Sequence, residues 1–499
     1  MLEVTVFTSG AVLLVLEIVA SRVLAPFFGN SVYVWGSLIG VFLAGLTLGY
    51  VVGGRVADRW PSPVLFSALV FLAGALTFPI PYVARPLLEA LVLAGFGPRA
   101  GSLLAAALLF LLPSVVMGTV SPFAVRLRAR SVLTVGNVAG VLYAFSTLGS
   151  ILGTLLAAFV LINAFGVRAI IHGLGIILML LAVAGLLTAR RAVAAATTGG
   201  LAVALVAGGV AAGPVRPPEG VVFQRETVYH QVTVSDEGRV RYLKLDNYWQ
   251  SGLDLDDPRR TVFAYSDYLH APLLLVPRPE RVALIGLGGG TVPRRFVEDY
   301  PQVHVDVAEL DPEVVAAAYR YFDLPRTPRL RVAAQDGRLF LFTSPARYDL
   351  ILLDAYLIDT IPFHLATREF FELVAARLRP GGVAASNVIG ALDGPDSRLF
   401  RAIYKTFRTV FPTVYVFPVG WHTYGSAASV RNIIIVGTHR APLDAAALRA
   451  RGAALAGTVV RVPGFPDVVA SLYPYPIGTE DVPLLTDDYA PVDALIPRR

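Results

Sequence analysis

Apolar residues run in long blocks through the first 213 positions and in short runs thereafter. Seven blocks, roughly 4–25, 32–54, 64–84, 101–121, 134–161, 168–188 and 192–213, approach or exceed the about 20 residues a helix needs to cross a bilayer core. Short connections between them carry the polar residues. The first block contains Glu17 and Arg22, lacks a basic start and is followed by further blocks, so it reads as a span and not as a removable leader. Gly36, Gly40, Gly45, Gly49 and Gly53 predict a smooth face for close helix packing. From 221 onward the pattern changes. Runs at 221–225, 229–235 and 241–246, with the turn Asp236-Glu237-Gly238, predict a small antiparallel sheet over 221–250. Apolar strands then fit 281–287, 303–310, 330–334, 348–353, 382–387, 414–418 and 433–437, with helices between most of them. Such alternation predicts a mainly parallel, doubly wound sheet that binds ligands at the carboxyl ends of its strands.

Composition agrees with a divided chain. Hydrophobic residues make up 55% and charged residues 16% of the 499, where an ordinary soluble protein is about a quarter charged. Residues 1–216 hold 12 Arg, no Lys and 4 acidic residues, whereas 217–499 hold 30 basic and 32 acidic ones. The basic excess therefore belongs to the apolar half and forms no concentrated patch for nucleic acid. Cys is absent, which excludes disulfides, thiolate catalysis and Cys-based zinc sites. The reading is a multi-span membrane domain over 1–213, a Pro-rich linker at 214–220, a small sheet-and-helix subdomain at 221–280 and a Rossmann-like domain at 281–499.

Orientation is conflicted at this level. Arg55/Arg59, Arg126/Arg128/Arg130 and Arg190/Arg191 fall in alternate connections, so they share one side, cytoplasmic by the positive-inside rule. Seven spans then put the second half outside, although the cytoplasm is the side expected for its chemistry. Glu17 and Arg22 are open to two readings, structural pairing or a conduit. The segment 53–59, Gly-Gly-Arg-Val-Ala-Asp-Arg, resembles a loop of major-facilitator transporters.

Three strand ends carry nucleoside chemistry. Gly286-Leu287-Gly288-Gly289-Gly290 is a turn that lets backbone approach a ligand and opens a helix. Glu309, about 20 residues on, is placed to accept ribose hydroxyls. Asp336-Gly337 ends the third strand, where a carboxylate can accept from an adenine amine. A dinucleotide dehydrogenase or simple strand caps would explain the same residues. No G-x-x-x-x-G-K-S/T sequence is present, which disfavours a P-loop ATPase. Asp354 ends the fourth strand, where a carboxylate can hold an ammonium group and take its proton. His270, His304, His364, His422 and His439 lack metal-ligand spacing, so no metal is expected. Tyr356 and Trp421-His422 fall at strand ends as further pocket candidates.

Residues at about 221–440 resemble the spermidine synthase (polyamine aminopropyltransferase) family. The whole chain resembles its bacterial variety in which that domain follows a multi-span part. The tail Leu485-Thr486-Asp487-Asp488-Tyr489-Ala490-Pro491 resembles endings of that variety. The resemblance implies a class I methyltransferase-type fold, no tightly bound cofactor, and decarboxylated S-adenosylmethionine (or S-adenosylmethionine) as co-substrate. It implies aminopropyl transfer to putrescine or a related amine, a bilayer as partner, and assembly into a homo-oligomer. By motif, Glu309 would bind ribose, Asp336 and Gly337 adenine, with Gly286, Gly288, His230 and Pro362 beside the nucleoside. Asp354 would take the proton, and Tyr265, Ser266, Gly289, Tyr356 and Leu357 would line the amine side. The chain departs from the pattern at Gly289, where the family has an Asp for the donor's amine, and at Leu357, where it has a second Asp for the acceptor. Ser266 stands where the family has His or Gln. Asp267, Asp359, Asp487 and Asp488 are candidates to replace the missing carboxylates. Two other readings use the same residues: a methyl- or alkyltransferase acting near the membrane, and a non-catalytic nucleoside or polyamine sensor.

Overall fold

The computed structural model describes residues 1–29, 31–211, 219–356 and 361–496. The chain folds as two compact units, Met1–Glu219 with Arg225–Gln231, and Gly220–Gln224 with Val232–Arg499.

In the first unit six helices among the described residues are long and apolar enough to cross a bilayer: Leu2–Phe28, Val32–Arg59, Pro98–Arg128, Val132–Leu161, Val167–Thr188 and Ala192–Gly209. The expected single span at 64–84 is instead two helices, Pro63–Thr77 and Ile80–Leu93, bent by 50°. Pro79 lies at the break. It has no N–H to continue the ladder, and its ring crowds the carbonyl four residues back.

The glycine face is also shorter than expected. Gly45, Gly49 and Gly53 meet the Pro98–Arg128 helix so closely that a Cβ on Gly49 would lie 2.3 Å from the Val115 carbonyl oxygen. Gly36 and Gly40 are exposed, with nothing within 4 Å of a Cβ. The five-residue step from Gly40 to Gly45 turns the helix by about 140°, off the four-residue stripe. Such contacts also set helix directions. Gly10 meets Ser146 and Gly153 meets Ala11, so Leu2–Phe28 and Val132–Leu161 run parallel. Gly45 meets Ser114 and Gly53 meets Thr119, another parallel pair, whereas Gly74 meets Gly175 and Gly185 meets Ser67, an antiparallel one. Asp58 of the transporter-like segment pairs with Arg126 at 3.1 Å.

Two sheets follow the apolar half of the chain. The smaller has β1 (Val221–Glu226), β2 (Gln231–Glu237), β3 (Val240–Leu245) and β4 (Tyr248–Asp254), in that order. The sheet expected over 221–250 thus gains β4. It is joined to β3 by Asp246-Asn247, both left-handed at φ 48° and 69°, the two-residue turn a twisted hairpin prefers.

The larger sheet has β5 (Arg281–Ile285), β6 (His304–Glu309), β7 (Leu330–Ala334), β8 (Tyr348–Leu353), β9 (Leu378–Gly390), β10 (Thr413–Pro418) and β11 (Arg431–Thr438). Their order is β10-β11-β9-β8-β5-β6-β7. The five strands from β9 to β7 are parallel, and β11 and β10 add an antiparallel edge. Both faces are covered, which explains the unbroken apolar runs: along β5, Val282 and Leu284 enter one core while Ala283 and Ile285 enter the other. Thr291–Asp299 packs on the first face, and Gly337–Thr343, Arg368–Arg377 and Arg398–Val410 pack on the second. The sheet is Rossmann-like, of the methyltransferase type. Strand order reverses between β5 and β8, the place where such sheets open a ligand crevice.

Candidate active site

Four adjacent strands, β8-β5-β6-β7, end side by side and deliver the acidic residues singled out by the sequence. Register ties the ends together: Ile285 faces both Leu353 and Ala308, and Glu309 faces Ala334. With strands about 4.8 Å apart, Asp354, the glycine turn, Glu309 and Asp336 span about 15 Å.

The turn after β5 leaves the strand at Gly286, whose φ is +96° and whose missing Cβ would lie 2.2 Å from the Asp354 carbonyl oxygen. Glu309 holds this turn. One carboxylate oxygen accepts the Leu287 N–H at 3.0 Å, and the other accepts the Asp311 N–H at 3.0 Å. A Cβ on Gly288 would meet Ser251 Oγ at 2.5 Å. Gly289 donates its N–H to Ser251 Oγ at 2.8 Å, and a Cβ there would meet the Phe322 ring and the Ser251 Cβ at 2.9 Å. Asp311 caps the next helix through the Glu313 N–H.

Asp336 also caps a helix, accepting from Leu339 N–H at 2.9 Å, and its second oxygen sits 3.0 Å from His364 Nε2. The His364 hydrogen bond holds the Asp336 carboxyl below its usual range, so Asp336 stays ionised. Gly337 opens that helix against Ile285, where a Cβ would come within 2.2 Å of a methyl group. Pro362 precedes the short helical turn Phe363–Leu365 that carries His364.

Asp354 lines a small, partly open cavity with Ser251, Phe263, Tyr265, Ser266 and Thr291. Enclosure by protein pushes its carboxyl up to about 7, against hydrogen bonds from Asn387 and Tyr265 that favour the charged form. Asn387 Nδ2 donates to Asp354 Oδ1 at 2.9 Å, and Asn432 Nδ2 donates to Asn387 Oδ1 at 3.1 Å. Tyr265 is itself held protonated by burial and by the Asp354 charge. The Ser266 hydroxyl donates to the Phe263 carbonyl at 2.9 Å. The Tyr356 hydroxyl bridges β9, donating to the Asn387 carbonyl at 2.9 Å and accepting the Ile389 N–H at 2.7 Å.

A base that must lose its proton to work gives a rate that falls on the acid side of its pKa. With Asp354 in that role, kcat/KM drops below pH of about 7. Asn387→Leu, which removes the donor to the carboxylate, moves this acid limb upward in a pH–rate profile; an unmoved limb would remove Asp354 from the role.

Other expected residues lie elsewhere or are engaged. His230 is buried and its carbonyl accepts from Thr227. Leu357 and Asp359 fall outside the described residues. Asp267 accepts the Thr261 hydroxyl at 2.8 Å, and Asp487 is gripped by Arg338 and Thr367. Asp488 is exposed. Trp421 packs edge-on against Tyr473, and His422 Nδ1 meets Ser471 Oγ at 2.8 Å, so neither lines the Asp354 cavity. Asn387 and Asn432 were not anticipated. The signal was present as amide side chains in the otherwise apolar runs of β9 and β11.

A sheet of this order, with acidic residues on successive strand ends around a glycine turn, defines a Rossmann-like domain of the methyltransferase type. Residues 262–435 match the model of the spermine/spermidine synthase domain. The chain is 29% identical over 287 residues to the polyamine aminopropyltransferase of Vibrio vulnificus, covering 55% of this chain and 91% of that one. It is 33% identical over 239 residues to spermidine synthase 1 of Hyoscyamus niger, covering 43% and 73%. Among solved structures, a probable spermidine synthase from Corynebacterium glutamicum aligns at 22% identity with a TM-score of 0.41, covering 54% of this chain and 100% of that one. The chain belongs to the spermine/spermidine synthase family and is an enzyme of the spermidine synthase type.

Proposed function

We propose that the protein is a membrane-tethered aminopropyltransferase that uses decarboxylated S-adenosylmethionine and acts on putrescine or a related amine. The amine nitrogen attacks the aminopropyl carbon bound to the sulfonium. A C–N bond forms, the C–S bond breaks, and its electron pair returns to sulfur as neutral 5′-methylthioadenosine. The proton lost by nitrogen goes to Asp354. Glu309 would take the ribose hydroxyls, and Asp336 with Gly337 the adenine. The observation that carries this reading is Asp354 itself: a carboxylate at the switch in strand order, inside a cavity and poised near neutrality. Purified full-length protein in detergent, incubated with each donor and a panel of amines, should release 5′-methylthioadenosine and an amine heavier by one aminopropyl group, read by mass spectrometry. Turnover of only the carboxylated donor would favour the methyl- or alkyltransferase reading.

The tether rests on the length and apolar composition of the helices in the first unit. With the bent pair counted as one span, seven helices among the described residues have the length and composition to cross a bilayer. Seven crossings with Arg55, Arg126 and Arg190 on the cytoplasmic side would leave the chain after the last crossing outside, against the cytoplasmic side expected for its chemistry. The absence of Cys makes the test direct. Leu93 and Leu133, 87% and 97% exposed, flank opposite ends of the Pro98–Arg128 helix in sequence, and Tyr475 of the second unit is 62% exposed. In intact cells a membrane-impermeant maleimide should label Leu93→Cys and Tyr475→Cys but not Leu133→Cys. Labelling of Leu133→Cys together with Tyr475→Cys would refute seven crossings.

A further inference from the structure

The tail motif at 485–491 lies far in sequence from every strand end that forms the site, yet it is bonded into it. Asp487 accepts two parallel hydrogen bonds from the Arg338 guanidinium, at 2.7 and 2.6 Å. It accepts a third from Thr367 Oγ1 at 2.7 Å. Its own N–H donates to Glu369 at 3.0 Å, and Leu485 is tied at both ends, its carbonyl to the Arg368 N–H at 2.9 Å and its N–H to Thr406 Oγ1 at 2.9 Å. Arg338 is thus held by the tail. The same guanidinium reaches the His364 carbonyl at 3.1 Å, and His364 Nε2 reaches Asp336 Oδ2 at 3.0 Å.

We propose that Asp487 is a positioning residue for nucleobase recognition, acting through Arg338 and His364 to fix the rotamer of Asp336. The chain of contacts is directional in what it leaves free. Leu339 N–H and His364 each occupy one Asp336 oxygen, so the remaining lone pairs point where the clamp sets them. A planar, two-point Arg–carboxylate grip fixes orientation as well as distance, which a single-point contact does not. The pair is partly exposed, Arg338 at 27% and Asp487 at 45%. Such pairs add little to global stability, so the effect falls on geometry at Asp336. This inference rests on the adenosine reading of the site.

The test measures the ratio of affinities of the full-length protein in detergent for 5′-methylthioadenosine and its 6-oxo counterpart, 5′-methylthioinosine. A carboxylate facing a 6-amino group favours the first and repels the second. Asp487→Asn should lower that ratio about fivefold, raise the KM for the donor and leave kcat within about twofold. Arg338→Lys, which keeps the charge and loses the fork, should do the same. Asp481→Asn is the matched control: this tail residue also grips an arginine, Arg401, but touches nothing at Asp336. It should leave the ratio unchanged. Equal losses in Asp487→Asn and Asp481→Asn would overturn the proposal in favour of general tail stabilisation. If Asp336→Asn itself left the ratio unchanged, the adenosine reading would fail first. If Asp336→Asn lowered it and Asp487→Asn did not, only the positioning role would fall.

Discussion

Asp354→Asn lowers kcat for aminopropyl transfer by about 10³-fold, the usual scale for losing a positioned general base, with little change in affinity for 5′-methylthioadenosine. The amide keeps the size of the carboxyl group and the donor contact with Tyr265, but it cannot accept a proton from the attacking nitrogen. Glu309 and Asp336, proposed to face the nucleoside, lie on other strand ends and keep their own partners. The measurement is steady-state release of 5′-methylthioadenosine together with equilibrium binding of the same product. A variant within about tenfold of the parent rate would show that water or another group takes the proton.

The same substitution has a second, opposite consequence. The Asp354 carboxyl is pushed up to about 7 in the folded protein, above the 3.8 ordinary for an aspartate. Between these values the folded state binds more protons than the unfolded chain, so stability falls as pH rises through this window. Above pH 7 the fold carries a buried charge that Asn removes. Asp354→Asn should therefore unfold at a higher temperature than the parent at pH 8, with the difference shrinking toward pH 5. Gain of stability with loss of rate is the signature of a group kept for chemistry at the expense of packing.

How much of this was legible in the sequence differs from residue to residue. Glu309, Asp336 and Asp354 could be found because a short apolar run followed by an acid is a local pattern, and parallel alternation places such ends together. Asn387 could not be assigned to Asp354, 33 residues away, without the register that sets Leu353 opposite Ser386. The role of His364 depends on a rotamer reaching Asp336, and no spacing rule encodes a rotamer. Pro79 was visible within the third apolar block, but hydropathy averages over a window and is blind to the backbone break that a single ring imposes. Asp246-Asn247 was a readable hairpin signal. The strand that follows it, Tyr-Trp-Gln-Ser-Gly-Leu-Asp, carries no apolar alternation to mark it as the second arm of a hairpin.

Gly286→Ala is expected to be the most damaging small substitution in the second unit, costing about 3–5 kcal/mol of stability and abolishing binding of 5′-methylthioadenosine. Two costs combine. The backbone there has φ +96°, which L side chains rarely adopt, and the added methyl would sit 2.2 Å from the Asp354 carbonyl oxygen and 2.8 Å from its carbon. Neither neighbour can yield cheaply, because the Asp354 N–H is bonded to the Ile285 carbonyl at 2.8 Å and the Gly286 N–H to the Ala308 carbonyl at 2.8 Å. Relief by moving the turn would pull Leu287 N–H from Glu309, and relief by moving the other side would displace Asp354. Gly394→Ala separates the two costs. Gly394 has a similar φ of +80° but nothing within 4 Å of its missing Cβ, so it should lose only about 1 kcal/mol. Thermal unfolding and product binding of both variants decide the matter. If Gly286→Ala matched Gly394→Ala in both, the close contact between the β5 turn and the Asp354 backbone would not be what holds the acid and the nucleoside turn in register.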